Sequence, residues 1–239
     1  MYTLTNSEMT RLKSGIQAVF AIPFIDDIED FVWEAIFSYV KQIPITDPLT
    51  HIRSKTLFDV VDSKQSVGWS AKAVQRSNIK VPDIFEVVIQ RADIFKKSKK
   101  LGFDELNIYS SPGDLGKALL KHWYEMKVYH DAVNQGVIDK RVCILLKSVD
   151  RKRYAYFEED FSEYKDSDLV WTWTNSAMEG LQGIRKSDNF CVFRWYPNQK
   201  QLFERFVLPT DAPIIAVVPQ RLPLAEVVEL LTDRINNRL

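Results

Sequence analysis

The stretch LFDVVDSKQSVGWSAKAVQ, Leu57 to Gln75, decides how the chain is read. Two runs rich in β-branched and aromatic residues flank the polar loop SKQS, the pattern of a β-hairpin. Strand residues two apart share a face. Ser70 and Lys72 therefore point together, while Trp69 and Ala71 point the other way into packing. Across the hairpin, Asp59 lies beside that polar pair. The spacing predicts an acid and a lysine on one surface of one sheet.

Upstream, apolar residues at 28, 31, 32, 35, 36, 39, 40 and 43 recur at helical spacing, and Pro44 stops the run. The connector PITDPLT (44–50) joins this helix to the hairpin. Downstream, DIFEVVIQRADIFKK reads as an amphipathic helix after Pro82, with Asp83 as its N-cap. ELNIY is a short strand candidate. A long helix is predicted from Gly113 to Asn134, ended by Gly136 in a left-handed cap. Strands follow at RVCILLKSV, RYAYFEEDF, LVWTWT, NFCVFRWY and IIAVV, and Pro223 opens a terminal helix, PLAEVVELLTDRINNRL. No Pro- or Gly-rich linker divides this order. The expected fold is α/β, with a mixed central β-sheet flanked by helices, in a single domain over 1–239. Its core is expected at about 28–150, with 151–239 adding peripheral strands and helices.

Composition sets bounds. Hydrophobic residues make up 46% and charged residues 27%, enough for both a core and a solvated surface. The 32 basic residues balance 32 acidic ones, so bulk attraction to nucleic acid is not indicated, although a local basic cleft remains open. Two cysteines, Cys143 and Cys191, are too few for a disulfide framework or a four-thiolate zinc site, and both sit in apolar runs as buried free thiols. The first residues, MYTLTNSEMTRLKSG, lack a signal-type apolar segment, and no window reaches the ~20 apolar residues of a membrane span. The expected location is cytoplasmic, with no membrane partner.

The hairpin resembles the core of the PD-(D/E)XK nucleases, type II restriction endonucleases among them. There, an Asp on one strand is followed by acid-x-Lys on the next, after an acidic helix. Asp59 matches the first acid, Lys72 the lysine, and the helix at 28–43 the acidic helix. At the second acid this chain has Ser70, which supplies no carboxylate. The resemblance implies a restriction endonuclease-like core and Mg²⁺-dependent hydrolysis of phosphodiester bonds in double-stranded DNA by a homodimer. It implies Asp59, Lys72 and Glu34 as catalytic residues, with Asp59 and Glu34 holding the metal. Glu29 is the other helix acid available, and Asp62 and Gln75 are weaker substitutes. The alternative is a nuclease-fold protein without catalysis, serving as a DNA-binding or assembly subunit. A hairpin with Asp and Lys on one face is also the pattern of a plain cross-strand ion pair.

Other stretches carry weaker signals. SSPGDLGKA lacks the Gly and the Ser or Thr of a phosphate loop, having Ser111 and Ala118 instead. His122 and His130 lie eight apart with no zincin-like carboxylate between them. KKSKK (96–100) bears on DNA binding, with a solvated helix end as the plainer reading. FRWYPNQKQLFERF, with Arg194, Lys200 and Arg205, fits either a DNA-gripping element or a buried strand turning into a helix. TWTNSAMEGLQGIR, with Asn175, Gln182 and Arg185, has the character of a polar base-reading loop. Arg185, Arg194 and Lys200 are the DNA-contact candidates.

Overall fold

The computed structural model describes residues 2–44 and 56–237, so most of the connector read over 44–50 lies outside the described residues. The chain divides into two compact units. The first comprises Met1–Lys80, Ile138–Asp160 and Asp211–Leu239, and the second Val81–Val137 and Phe161–Thr210.

The first unit begins with helix α1, Asn6–Ala21, which is not among the elements expected from the sequence. Thr5 caps it by accepting the Glu8 N–H while the Glu8 carboxylate returns to the Thr5 N–H, a capping box. Helix α2, Asp30–Lys41, falls within the span read as helical, and Gln42 ends it in the left-handed region at φ 57°. Strands β1 (Val60–Asp62) and β2 (Val67–Arg76) form the expected hairpin. They share a five-stranded sheet, order β1-β2-β4-β5-β10, with β4 (Asp139–Ser148), β5 (Arg153–Asp160) and β10 (Ile214–Ala216). β2 runs parallel to β4 over its whole length, and the other pairings are antiparallel.

One face of that sheet carries Trp69, Ala71, Cys143, Leu145, Tyr154 and Tyr156. It packs on Leu12, Ile16 and Phe20 of α1 and on Trp33, Ile36, Phe37 and Val40 of α2. Burying each large side chain contributes about 1.5–3 kcal/mol relative to exposure. Phe37 sits between Trp33 and Trp69, with ring centroids 5.5 Å from each. Gly15 lets the helices approach, since a Cβ there would lie 3.1 Å from Ile36 Cγ2. Cys143 is fully buried in this core, as expected of a free thiol, and burial pushes its pKa up.

The second unit holds a separate antiparallel sheet, order β3-β9-β8-β7-β6. Its strands are β3 (Asp83–Arg91), β6 (Leu169–Trp173), β7 (Leu181–Arg185), β8 (Cys191–Tyr196) and β9 (Gln201–Leu208). The single central sheet expected from element order is thus replaced by two. Strands after residue 150 are shared out: β5 and β10 join the first sheet and β6 to β9 the second, so the expected core boundary near 150 does not divide the units.

The segment after Pro82 is a strand, not a helix, and Asp83 is its first residue rather than a helix cap. Its apolar residues fit both periods, and the partner strand decides: Phe85 faces Phe206 across β9, their rings stacked at 5.6 Å. The β-branched run Val87-Val88-Ile89 suits that pleated surface. ELNIY is a turn, in which Asn107 Oδ1 accepts the Tyr109 N–H at 2.9 Å. The long helix does form, as α3 (Pro112–Trp123), a π-turn (Tyr124–Tyr129) and α4 (His130–Gln135), with Gly136 at φ 66° after it. Ser111, the residue that spoils a phosphate loop, caps α3 by accepting the Asp114 N–H. The terminal helix α5, Leu224–Asn236, forms after Pro223 but buries Val227 alone; Leu224, Val228, Leu231 and Ile235 remain exposed. Among the described residues no helix is long and apolar enough to cross a membrane.

Trp171 shows why glycine is placed where it is. It lies against Gly116 on α3 and over its cross-strand partner Gly183. A Cβ on Gly116 would lie 2.3 Å from the indole ring, closer than any packing permits. Gly116→Ala is therefore expected to force the indole out of place and destabilise the protein by about 1–3 kcal/mol. Urea unfolding measures it, and an unchanged midpoint would show that the ring does not rest on Gly116.

Candidate active site

The site grows from a mismatch in strand length. β1 is three residues long and β2 is ten, so beyond Trp69 the β2 edge has no strand beside it on the β1 side. Unpaired backbone N–H groups are costly when buried. Two carboxylates take them. Asp59, just before β1, donates its own N–H to the Trp69 carbonyl at 2.9 Å, and its Oδ2 accepts the Ala71 N–H at 2.9 Å. Asp30, first residue of α2, accepts the Ala73 N–H through Oδ1 at 2.8 Å. The anchoring N–H groups are two residues apart on one strand, about 7 Å.

Lys72 lies between these anchors in sequence. Its ammonium is 3.1 Å from Asp59 Oδ2 and donates to the Ala71 carbonyl at 3.0 Å. The pair is mostly enclosed, with side-chain exposures of 23% for Lys72 and 17% for Asp59. The expected neighbours Asp59 and Lys72 are therefore brought together. Ser70 is buried across the hairpin from Asp59, in the register extended from Val60 opposite Trp69.

Helix α2 is held over the sheet at three points along its length. Asp30 bonds the β2 edge, the Trp33 indole N–H donates to the Cys143 carbonyl at 3.3 Å, and Lys41 pairs with Glu158 at 3.3 Å. Glu158 is fully buried, yet it also accepts from the Trp69 indole at 2.7 Å, from Arg141 at 3.3 Å and from the Tyr156 hydroxyl. Its charge is thus fully compensated, which marks it as a structural tie.

The electrostatics are lopsided. Burial pushes the Asp59 carboxyl above its ordinary value, Lys72 pulls it back down, and the charge of Asp30 adds to the rise. For Lys72, burial works to lower the pKa, but the charges of Asp59, Asp30 and Glu34 outweigh it and hold the ammonium on to higher pH. Three acids thus act on the one ammonium of Lys72.

Of the helix acids, Asp30 acts on Lys72 more strongly than Glu34 and also bonds the β2 edge. Glu34, named from sequence as the displaced acid, contributes the smaller charge effect. Glu29 is exposed at the N-cap of α2, where its carbonyl accepts the Val32 and Trp33 N–H groups. Asp62 accepts the Lys64 N–H within the hairpin turn, and Gln75 is exposed farther along β2. Asp30 is absent from the residues named by sequence reasoning, although it lies one helical turn before Glu34, on the same face.

The basic candidates lie in the second unit, each beside an acid. Arg185 grips Asp188 with Nη2 at 2.7 Å and Nε at 2.9 Å, Arg194 meets Glu86 at 3.5 Å, and Lys200 meets Asp93 at 2.8 Å. The stretch around Arg185 is strand β7, and 191–208 forms two strands with a turn between them, not a strand turning into a helix.

Among the described residues no group of three His, Cys, Asp or Glu side chains is arranged to hold a metal ion. A closed transition-metal cage does not fit. Mg²⁺ asks less, taking one or two carboxylates together with water and substrate phosphate. Asp59 and Asp30, anchored two residues apart on one strand edge, are a donor set of that kind. Comparison with protein-family models, curated proteins and solved structures returned no match to this chain.

If the three acids share Lys72, neutralising them must release it by degrees. Asp59→Asn is expected to lower the Lys72 pKa, and Asp30→Asn to lower it by less. NMR titration of reductively ¹³C-methylated lysines reads both shifts. A Lys72 resonance that titrates identically in wild type and both variants would dissolve the cluster.

Proposed function

We propose that this chain is a PD-(D/E)XK-type, metal-dependent endonuclease that hydrolyses phosphodiester bonds in double-stranded DNA as a homodimer. The observation that carries the reading is the Lys72 ammonium 3.1 Å from Asp59, with Asp30 of the preceding helix on the same strand edge. That grouping of acid, lysine and helix acid is what the hairpin's resemblance calls for. In this reading Asp59 and Asp30 hold Mg²⁺, with Glu34 adding charge. When bound, such an ion polarises a phosphoryl oxygen and lowers the pKa of a water.

The chain's own groups have defined tasks. Lys72 is held protonated by the acids around it, so at neutral pH it serves as a hydrogen-bond donor and positive charge, not as a proton acceptor. It positions the attacking water or steadies the charge growing on the phosphate. Asp59, fixed by the Ala71 N–H, keeps Lys72 in place. Ser70 offers a neutral hydroxyl where the resemblance expects a carboxylate.

The second reading, a nuclease-fold DNA-binding or assembly subunit without catalysis, is favoured by Ser70 and by the lack of a three-ligand group among the described residues. Incubation with long mixed-sequence DNA and Mg²⁺ separates the two. The nuclease reading expects discrete fragments, and intact DNA at high enzyme excess would leave the binding reading.

Variants sharpen the test. Lys72→Ala is expected to lower cleavage roughly a hundredfold or more, while gel shift on the same DNA with Ca²⁺ changes little. Asp30→Asn should cost more activity than Glu34→Gln, in line with their effects on Lys72. Near-wild-type cutting by Lys72→Ala would make Lys72 an ordinary ion-pair residue and end the assignment.

A further inference from the structure

The second unit carries five lysines in a small region: Lys96, Lys97, Lys99 and Lys100 on one turn, and Lys121 on α3. They differ from the paired Arg185, Arg194 and Lys200. Among the described residues no ion pair involves any of the five, nor joins them to Asp104 or Glu105, the acids that follow in sequence. Asp93, the acid before them, pairs with Lys200 at 2.8 Å and also feels the charge of Lys96.

The turn is firmly built. The buried Ser98 hydroxyl donates to the Phe95 carbonyl at 2.7 Å and accepts the Leu106 N–H at 3.1 Å. Ile94 and Leu101 are buried on either side, and Gly102 closes the turn at φ 84°. Two contacts tie α3 to it. The Lys121 ammonium lies 3.4 Å from where a Gly102 Cβ would be. The Lys97 ammonium is 2.6 Å from His122 Nε2, whose Nδ1 is 3.0 Å from Gln90 Oε1. Burial and the charge of Lys97 hold His122 down to about 4, with the charge of Asp93 working the other way, so the imidazole is neutral at physiological pH.

We infer that this lysine surface, rather than Arg185, Arg194 and Lys200, is where the second unit grips the phosphate backbone of duplex DNA. The chemistry matches. Lysines act as point charges that suit phosphates without reading bases. A net charge of zero for the whole chain makes a local concentration of lysines the place where a polyanion gains most. The inference goes beyond the nuclease reading, because gripping DNA here does not depend on whether the Asp59–Lys72 site cuts.

The test is fluorescence anisotropy with the full chain and a 30-bp duplex in EDTA, over a series of salt concentrations. Every phosphate that is no longer neutralised should flatten the slope of log K against log salt by about 0.9. Lys99→Gln/Lys100→Gln/Lys121→Gln is expected to flatten it by about 2 to 3 units and to weaken binding at least tenfold. Arg185→Gln should leave the slope unchanged. An unchanged melting temperature confirms that the triple variant is folded. The inference is overturned if the triple variant keeps the wild-type slope, if the wild type binds no duplex, or if it prefers anionic phosphatidylglycerol vesicles. A triple variant that binds poorly yet still cuts at high concentration, or a wild type that grips DNA without cutting, separates this surface from the active-site reading.

Discussion

The ten-residue parallel pairing of β2 with β4 is the constraint on which the rest depends. Parallel neighbours cannot be joined by a tight turn and need a long crossover. Here the crossover includes residues 81–137, the first part of the second unit. The same pairing places Ala71, Lys72 and Ala73 opposite Cys143, Ile144 and Leu145, in the buried middle of the first sheet. A lysine held there has its backbone rigidly fixed on one side by β4. The other side is left to whatever can reach it.

What reaches it is carboxylate. A longer β1 would have satisfied the β2 edge with its own carbonyls, and Asp59 and Asp30 would have had no N–H groups to accept. The short strand turns a backbone requirement into an electrostatic arrangement. Each acid is held by an amide, and together with Glu34 their charges act on the Lys72 ammonium. Glu158, on the same sheet, shows the opposite solution: a buried carboxylate with two cations, an indole and a phenol around it. It fastens the C-terminal end of α2 to β5, as Asp30 fastens the N-terminal end to β2. The grouping of Asp59 and Asp30 around Lys72 is therefore a different arrangement from that around Glu158.

In the second unit the basic residues divide by partner. Arg185, Arg194 and Lys200 lie on or beside the strands, where cross-strand or turn neighbours bring an acid to each. The lysines of 96–100 lie on a turn after β3, where Lys97 meets a neutral imidazole and the neighbouring Asp93 pairs with Lys200. Charge count does not distinguish these two sets, but their surroundings do.

The hairpin, α2, the long helix with its Gly136 end, and the shared face of Asp59 and Lys72 are legible in the residues alone. These rest on near neighbours in the chain: a two-residue strand period, a helical stripe, a turn of four polar residues. That 83–91 is a strand depends on long-range pairing, because its apolar pattern suits both periods and Phe206, more than a hundred residues away, selects one. Only the tertiary structure divided the later strands between two sheets, since partner choice leaves no mark on a strand's own alternation. It also brought Asp30 to the β2 edge, because which helix residue meets an unpaired N–H depends on a strand over forty residues on. Local periodicity fixes which way a side chain points along its own element, and the packing of distant elements decides what it meets.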